Sequence, residues 1–189
     1  MPATFDRATL MPLFEELQAA KKRMADALKA AARMPVQDYT FQTTAGPVAL
    51  SALFGPKDDL VVVHNMGRSC VYCTMWADGL NGLAPHLADR AAFALSSPDD
   101  PATQAQFAAS RAWRFPIVST QGTTFAADMG FAQGSGTMPG YSVFRRQPDG
   151  TITRTGASFF GPGDDYCAIW PMMEQMEGGV GGWSPKYQY

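Results

Sequence analysis

Apolar residues recur at intervals of three and four along the first thirty positions. Leu10, Leu13, Phe14, Leu17, Met24, Leu28 and Ala31 alternate with Glu15, Glu16, Lys22, Arg23, Asp26 and Lys29. This spacing predicts an amphipathic helix of about six turns, capped by Thr9, with Pro12 in its first turn and Pro35 as its stop. A stripe of this kind suits packing on a core or on a second copy; a membrane surface or another partner is the alternative occupant.

Alternation at 39–44 and 47–50 around Ala45-Gly46 predicts a hairpin. Leu60-Val61-Val62-Val63-His64 is a continuous apolar run, the pattern of a strand covered on both faces, and it should be central. A short connection carrying two cysteines leads from it to a helix over 74–87, weakened by Gly79 and Gly82, and then to a strand over 91–96, which completes a βαβ unit. Asp99 or Asp100 with Pro101 opens a helix to about Trp113, and a short strand covers 115–119. A helical turn at 123–129 and a glycine-rich loop at 130–140 follow. The segments 141–146 and 151–158, joined by Pro148-Asp149-Gly150, form the clearest hairpin signal, and Asp164-Asp165 opens a last helix to about Met176. The order βαβ, αβ, ββα is that of an α/β layer fold.

Composition narrows the class. A chain of 189 residues is one domain with extensions, and 46% apolar with 17% charged residues excludes disorder and coiled coil as the main state. A net charge of −2 with scattered Lys and Arg gives no footprint for nucleic acid. The apolar run around Leu60 to Val63 is far shorter than the ~20 residues of a membrane span, and Asp6, Arg7, Glu15 and Glu16 interrupt any leader-like apolar segment. The expectation is a soluble, cytoplasmic protein that binds no membrane. In that compartment thiols are kept reduced, so a cysteine pair is there for its chemistry.

Of three cysteines, two form Cys70-Val71-Tyr72-Cys73 between the buried strand and a helix start. The Cys70 sulfur then faces free N–H groups and the positive end of the helix dipole, which favour thiolate. Arg68 is placed to add to that field. Cys70 can attack a disulfide, and Cys73, one turn on, can release the product from the mixed disulfide. Cys73 must lose a proton to do so. His64 is the nearest candidate base, its other reading being a hydrogen-bonded packing residue; His86 reads as structural. Cys167, among Tyr166, Ile169 and Trp170, reads as a buried packing residue.

Strand, Cys70-Val71-Tyr72-Cys73, helix, and Met138-Pro139 before a strand together resemble the thioredoxin-like fold. Thr74-Met75-Trp76-Ala77-Asp78, Leu53-Phe54, Phe115-Pro116-Ile117-Val118-Ser119 and Pro139-Gly140-Tyr141-Ser142-Val143-Phe144 are similar to a bacterial family of predicted dithiol–disulfide oxidoreductases of uncharacterised function. That family is related in fold to alkyl hydroperoxide reductase and thiol-specific antioxidant proteins. The likeness covers about 32–158. It implies a central mixed sheet flanked by helices, Cys70 as exposed nucleophile, Cys73 as resolving cysteine and Pro139 as a cis-proline. The Met138 carbonyl and amide would then be open to an extended substrate chain, by strand addition. His64 matches the strand position where thioredoxin has a buried aspartate assisting the second cysteine. Tyr72 and Trp76 join the substrate-binding set, although Trp76 also reads as core and Asp78 as a surface or capping contact.

Ser69 stands where thioredoxin has a tryptophan, and Val71-Tyr72 replaces Gly-Pro, so the direction of the redox reaction stays open. Phe115 to Ser119 is also similar to peroxiredoxins, but Met66 to Cys70 lacks the proline and threonine of their peroxidatic loop. Peroxide reduction by Cys70 is therefore the alternative, and a non-enzymatic binding module the second. A single CxxC lacks the second knuckle of a structural zinc site, Thr74 excludes haem attachment, and Gly134-Ser135-Gly136 lacks a dinucleotide context. No cofactor and no metal are expected. The expected partners are a protein or small-molecule disulfide and a thiol electron donor. The expected organisation is a helix over 1–35, a thioredoxin-like domain over 36–177 and a Gly-rich aromatic tail over 178–189, docked on its own fold or on a second subunit of a homodimer.

Overall fold

The computed structural model describes residues 6–31, 33–134 and 136–189. In chain order the elements are α1 (Arg7–Ala30), β1 (Met34–Val36), β2 (Thr40–Thr43), β3 (Gly46–Ala49), α2 (Leu50–Leu53), β4 (Asp59–His64), α3 (Val71–Arg90), β5 (Ala92–Ser97), α4 (Pro101–Ser110) and β6 (Ile117–Ser119). Then come α5 (Phe125–Asp128), β7 (Ala132–Gln133), β8 (Gly136–Thr137), β9 (Gly140–Arg146), β10 (Ile152–Phe159) and α6 (Ile169–Glu174). The main sheet runs β1-β10-β9-β4-β5-β6-β2-β3. β4 is parallel to β5 and antiparallel to β9, so the sheet is mixed.

Alternate side chains of a strand leave on opposite faces, and β4 shows the consequence. Leu60 and Val62 enter one core with Phe41, Leu50, Phe54, Phe125, Phe131 and Phe144. Val63 enters the other with Trp76 and Ala77 of α3, and with Phe93, Leu95 and Phe115. Full burial of each such aliphatic side chain contributes about 1.5–3 kcal/mol. The long α3 therefore lies on one face, and the short α2 and α5 on the other.

Several expectations shift in detail. Asp6, not Thr9, caps α1, its carboxylate accepting from the Ala8 amide at 3.0 Å and the Thr9 hydroxyl at 2.9 Å. Pro12 therefore sits inside the helix rather than in its first turn. No described residue of α1 is buried, and Leu13, Phe14 and Met24 stay exposed. β1, unforeseen, pairs with β10, so the sheet begins at Met34. The glycine-rich loop contains the ribbon β7–β8, and its Ser135 lies outside the described residues. α3 starts at Val71, directly after Cys70, because Cys70 itself is the cap.

Candidate active site

The connection from β4 to α3 is clamped by short polar side chains. The Asn65 amide donates to the Ser96 carbonyl (2.9 Å), and Asn65 Oδ1 accepts from the Gly67 amide (2.8 Å). Gly67 has φ +98°, and a Cβ there would lie 2.9 Å from Asp99 Oδ2; only glycine fits both conditions. Asp99 Oδ2 in turn accepts from the Arg68 amide at 2.7 Å. The Cys70 amide closes the turn onto the Gly67 carbonyl at 3.1 Å.

Cys70 is the half-buried N-cap of α3, and its Sγ accepts from the Cys73 amide at 3.1 Å. Its thiol is lowered to about 7. The hydrogen bond from the Cys73 thiol is the main cause; burial opposes it, and the Cys73 and Tyr72 amides assist. Cys73, 2% exposed, is pushed up by that same hydrogen bond and by burial, partly offset by the Met66 amide. When Cys70 ionises, Cys73 keeps its proton and donates it to the Cys70 sulfur. Helix N-terminal amides and a neighbouring S–H thus stabilise a thiolate at the more accessible sulfur. The Arg68 guanidinium, expected to help, is not among the groups that lower Cys70; Arg68 acts through its backbone.

Other expected site residues take different places. His64 is 1% exposed, with Nε2 2.9 Å from Ser142 Oγ and its ring stacked at 3.9 Å on Phe131. Burial, with Arg154 nearby, lowers it to about 3, so it stays neutral and is a poor acceptor for the Cys73 proton. Trp76 is 3% exposed and packs on Phe160, so it lies in the core and out of a substrate's reach. Tyr72 is half-buried between Trp76 and Trp170. His86 is exposed on α3, about 24 Å along the helix from Cys70. Cys167 is half-buried against the α3-side core, its thiol raised by burial.

The Met138–Pro139 peptide is trans, which corrects the cis expectation. Trans is the ordinary isomer of an X–Pro bond, and hydrogen bonds flank it on both sides: the Met138 amide donates to the Phe131 carbonyl (2.6 Å), and the Pro139 carbonyl accepts from the Phe160 amide (2.9 Å). Extended backbone therefore continues through the proline into β9. The Met138 amide is already paired and is not free for strand addition. The loop still sits at the end of β4 from which the cysteine loop departs, since Gly140 pairs with His64.

Asp78, expected as a surface or capping contact, anchors a second polar group whose partners the sequence does not indicate. Asp78, two turns after Cys70, takes both Nε (3.2 Å) and Nη2 of Arg111 and the Trp113 indole N–H (2.8 Å). Arg111 Nη1 donates to the Tyr187 carbonyl at 2.7 Å. These partners lie dozens of residues from Asp78 and carry no local signature. Asn65 and Gly67 had one, since Asn and Gly two apart between strand and helix mark a turn.

Among the described residues no group of three or more His, Cys, Asp or Glu is placed to hold a metal, and no helix is long and apolar enough to cross a membrane. A cavity of about 480 Å³ lined by Phe54, Lys57, Phe93 and Phe115 lies at the amino-terminal end of β5, away from the cysteines.

A family model described as a bacterial protein of unknown function (DUF899) matches residues 3–180. The chain belongs to that family. No curated protein matches it. Among solved structures, this DUF899 chain is similar to peroxidoxin BcpB of Mycobacterium tuberculosis, with TM-score 0.52 and 26% identity over 64% of this chain and 80% of that one. Reduced Prx3 of Vibrio vulnificus in complex with H2O2 gives TM-score 0.55 and 15% identity over 71% and 87%. Peroxiredoxin Q of Xanthomonas campestris gives TM-score 0.50 and 22% identity over 64% and 80%. The fold is thioredoxin-like, as the motifs implied, and the redox proteins among its neighbours support a redox function in general.

Proposed function

We propose that the protein is a dithiol–disulfide oxidoreductase working through Cys70 and Cys73. The observation that carries this reading is the Cys70 sulfur at the α3 N-cap, accepting from the Cys73 amide and held near half ionisation at pH 7. The Cys70 thiolate attacks one sulfur of a substrate disulfide, forming a mixed disulfide and expelling the first substrate thiolate. Cys73 then loses its proton and attacks the Cys70 sulfur, expelling the second thiolate and leaving an intramolecular disulfide. Two electrons have passed to the substrate, and a thiol donor must return them.

In the second step the Cys73 proton can pass to the expelled substrate thiolate. The hydrogen bond to the Cys70 thiolate is the largest cause of the raised Cys73 thiol. Once Cys70 is consumed in the mixed disulfide that thiolate is gone, and Cys73 ionises more readily. The first step thereby prepares the second. A neutral, deeply buried His64 is consistent with this sequence. We assign the reaction to the cytoplasm, where a thiol donor is abundant. Turnover of hydroxyethyl disulfide with dithiothreitol as donor tests the reading: the wild type should turn over and Cys70→Ser should not.

The likeness to peroxidoxin BcpB favours one second reading. Here the Cys70 thiolate attacks a peroxide oxygen, giving a sulfenic acid and an alcohol or water; Cys73 then condenses with it, giving a disulfide and water. Rapid, saturable sulfenic acid formation in stopped flow with hydrogen peroxide would support it, and a rate like that of free cysteine would remove it.

A further inference from the structure

The C-terminal tail lies across the cysteine loop. Tyr187 Oη donates to the Arg68 carbonyl at 3.0 Å, two residues before Cys70. At the other end Trp183 packs edge-on against Trp170 (6.0 Å between centroids), and Trp170 stacks on Tyr72 at 6.3 Å, two residues after Cys70. Pro185, midway between them, is buried. Tyr187 also rests edge-on against Phe107 at 6.3 Å, and its carbonyl takes the Arg111 guanidinium that Asp78 holds. Asp78 belongs to α3, so the tail is latched to the helix that Cys70 heads. The nearby Cys70 and Cys73 sulfurs raise the Tyr187 phenol, after burial as the main cause, which agrees with that placement.

A protein disulfide has to bring a segment of chain alongside the attacking sulfur. On this surface the flank of the loop carries the tail, and the Met138 amide that could pair with such a segment is already bonded to Phe131. A small disulfide needs only a path to Cys70, which remains half-buried.

We propose that residues 183–187 form a strap over the Cys70 loop, latched by Tyr187 to Arg68 and Arg111, which restricts the site to low-molecular-weight disulfides. The inference deepens the dithiol reading and rests on it for the substrate. Access to the thiol can be measured without any turnover.

The test uses the full chain, Tyr187→Ala, and a chain ending at Gly182. Cys70 is alkylated by iodoacetamide and, separately, by a maleimide carrying a long poly(ethylene glycol) chain; reduction rates are measured for hydroxyethyl disulfide and insulin. The ratio of bulky to small rate constants should rise about tenfold in both variants, for alkylation and for disulfides alike. Tyr187→Phe, keeping the ring and losing the Arg68 bond, should fall between. If the shortened chain does not fold, Tyr187→Ala alone decides. An alkylation ratio within twofold of wild type in the folded variants overturns the strap. Absence of all disulfide turnover with a raised alkylation ratio overturns the dithiol reading and its substrate assignment while leaving the strap's control of access standing.

Discussion

The Cys73 amide points at the Cys70 sulfur from 3.1 Å, and the Cys73 thiol, which keeps its own proton, donates to the same sulfur. Backbone and side chain of one residue thus act on the same neighbouring atom. This follows from a CxxC placed so that its first cysteine is the helix cap and its second lies one turn in, where the amide would otherwise lack a partner.

The ionisation of Cys70 should therefore depend on Cys73. The rate of Cys70 alkylation by iodoacetamide should rise with pH through a midpoint near 7 and level off above it. Cys73→Ala removes the S–H donor and should move the midpoint upward, toward the ordinary cysteine range. Cys73→Ser keeps a hydroxyl donor and should shift it less. A midpoint unmoved by Cys73→Ala would show that the backbone amides alone set the thiolate.

His64 should act on stability rather than on proton transfer. Its folded-state value is depressed from 6.5 to about 3, so between those pH values the unfolded chain binds a proton that the folded chain does not. Stability is then lost as pH falls from about 6.5 toward 3, by on the order of 5 kcal/mol from this group, and is independent of it above 6.5. Chemical denaturation across this range should show a flatter acid limb for His64→Phe. An unchanged acid limb would contradict the assignment.

Gly67→Ala should damage the loop more than its size implies. The backbone there is at φ +98°, and the new methyl would press on the Asp99 carboxylate that anchors the Arg68 amide. A loss of about 1–3 kcal/mol is expected, with slower Cys70 alkylation at neutral pH. Asp99→Ala removes the obstruction and the anchor together, so the double variant should lose less than the sum of the singles. Thermal denaturation of the four proteins measures this.

Asp78→Ala frees the Arg111 guanidinium and leaves the Trp113 indole N–H without its acceptor. The pair is partly exposed, at 32% and 24% of side-chain area, so a loss of about 1–2 kcal/mol is expected rather than that of a fully buried ion pair. Thermal unfolding checks it, with Asp78→Asn, which retains one acceptor oxygen, falling between.

Features set by neighbouring residues are legible in the sequence. The period of 60–64 marked β4 as buried on both faces, the Pro148-Asp149-Gly150 turn marked the β9–β10 hairpin, and cysteines three apart after a strand marked the helix cap. Features set by distant contacts are not. The pairing of the Met138 amide depends on Phe131, and the neutrality of His64 on Phe131, Phe125 and Arg154. The place of Tyr187 depends on Arg68 and Arg111, 119 and 76 residues away. The stripe of α1 was legible as a pattern, but its packing was not, since its apolar side chains stay exposed.

On the proposed function, Cys70 and Cys73 form a reversible redox pair. Equilibrating the protein across a series of dithiothreitol redox buffers and counting free thiols by mass after alkylation tests it most directly. A single two-electron transition is expected, in which two of the three thiols disappear together and return on reduction, and which Cys70→Ser or Cys73→Ser abolishes. A pair that stays unbridged across the whole accessible range of potential would contradict it.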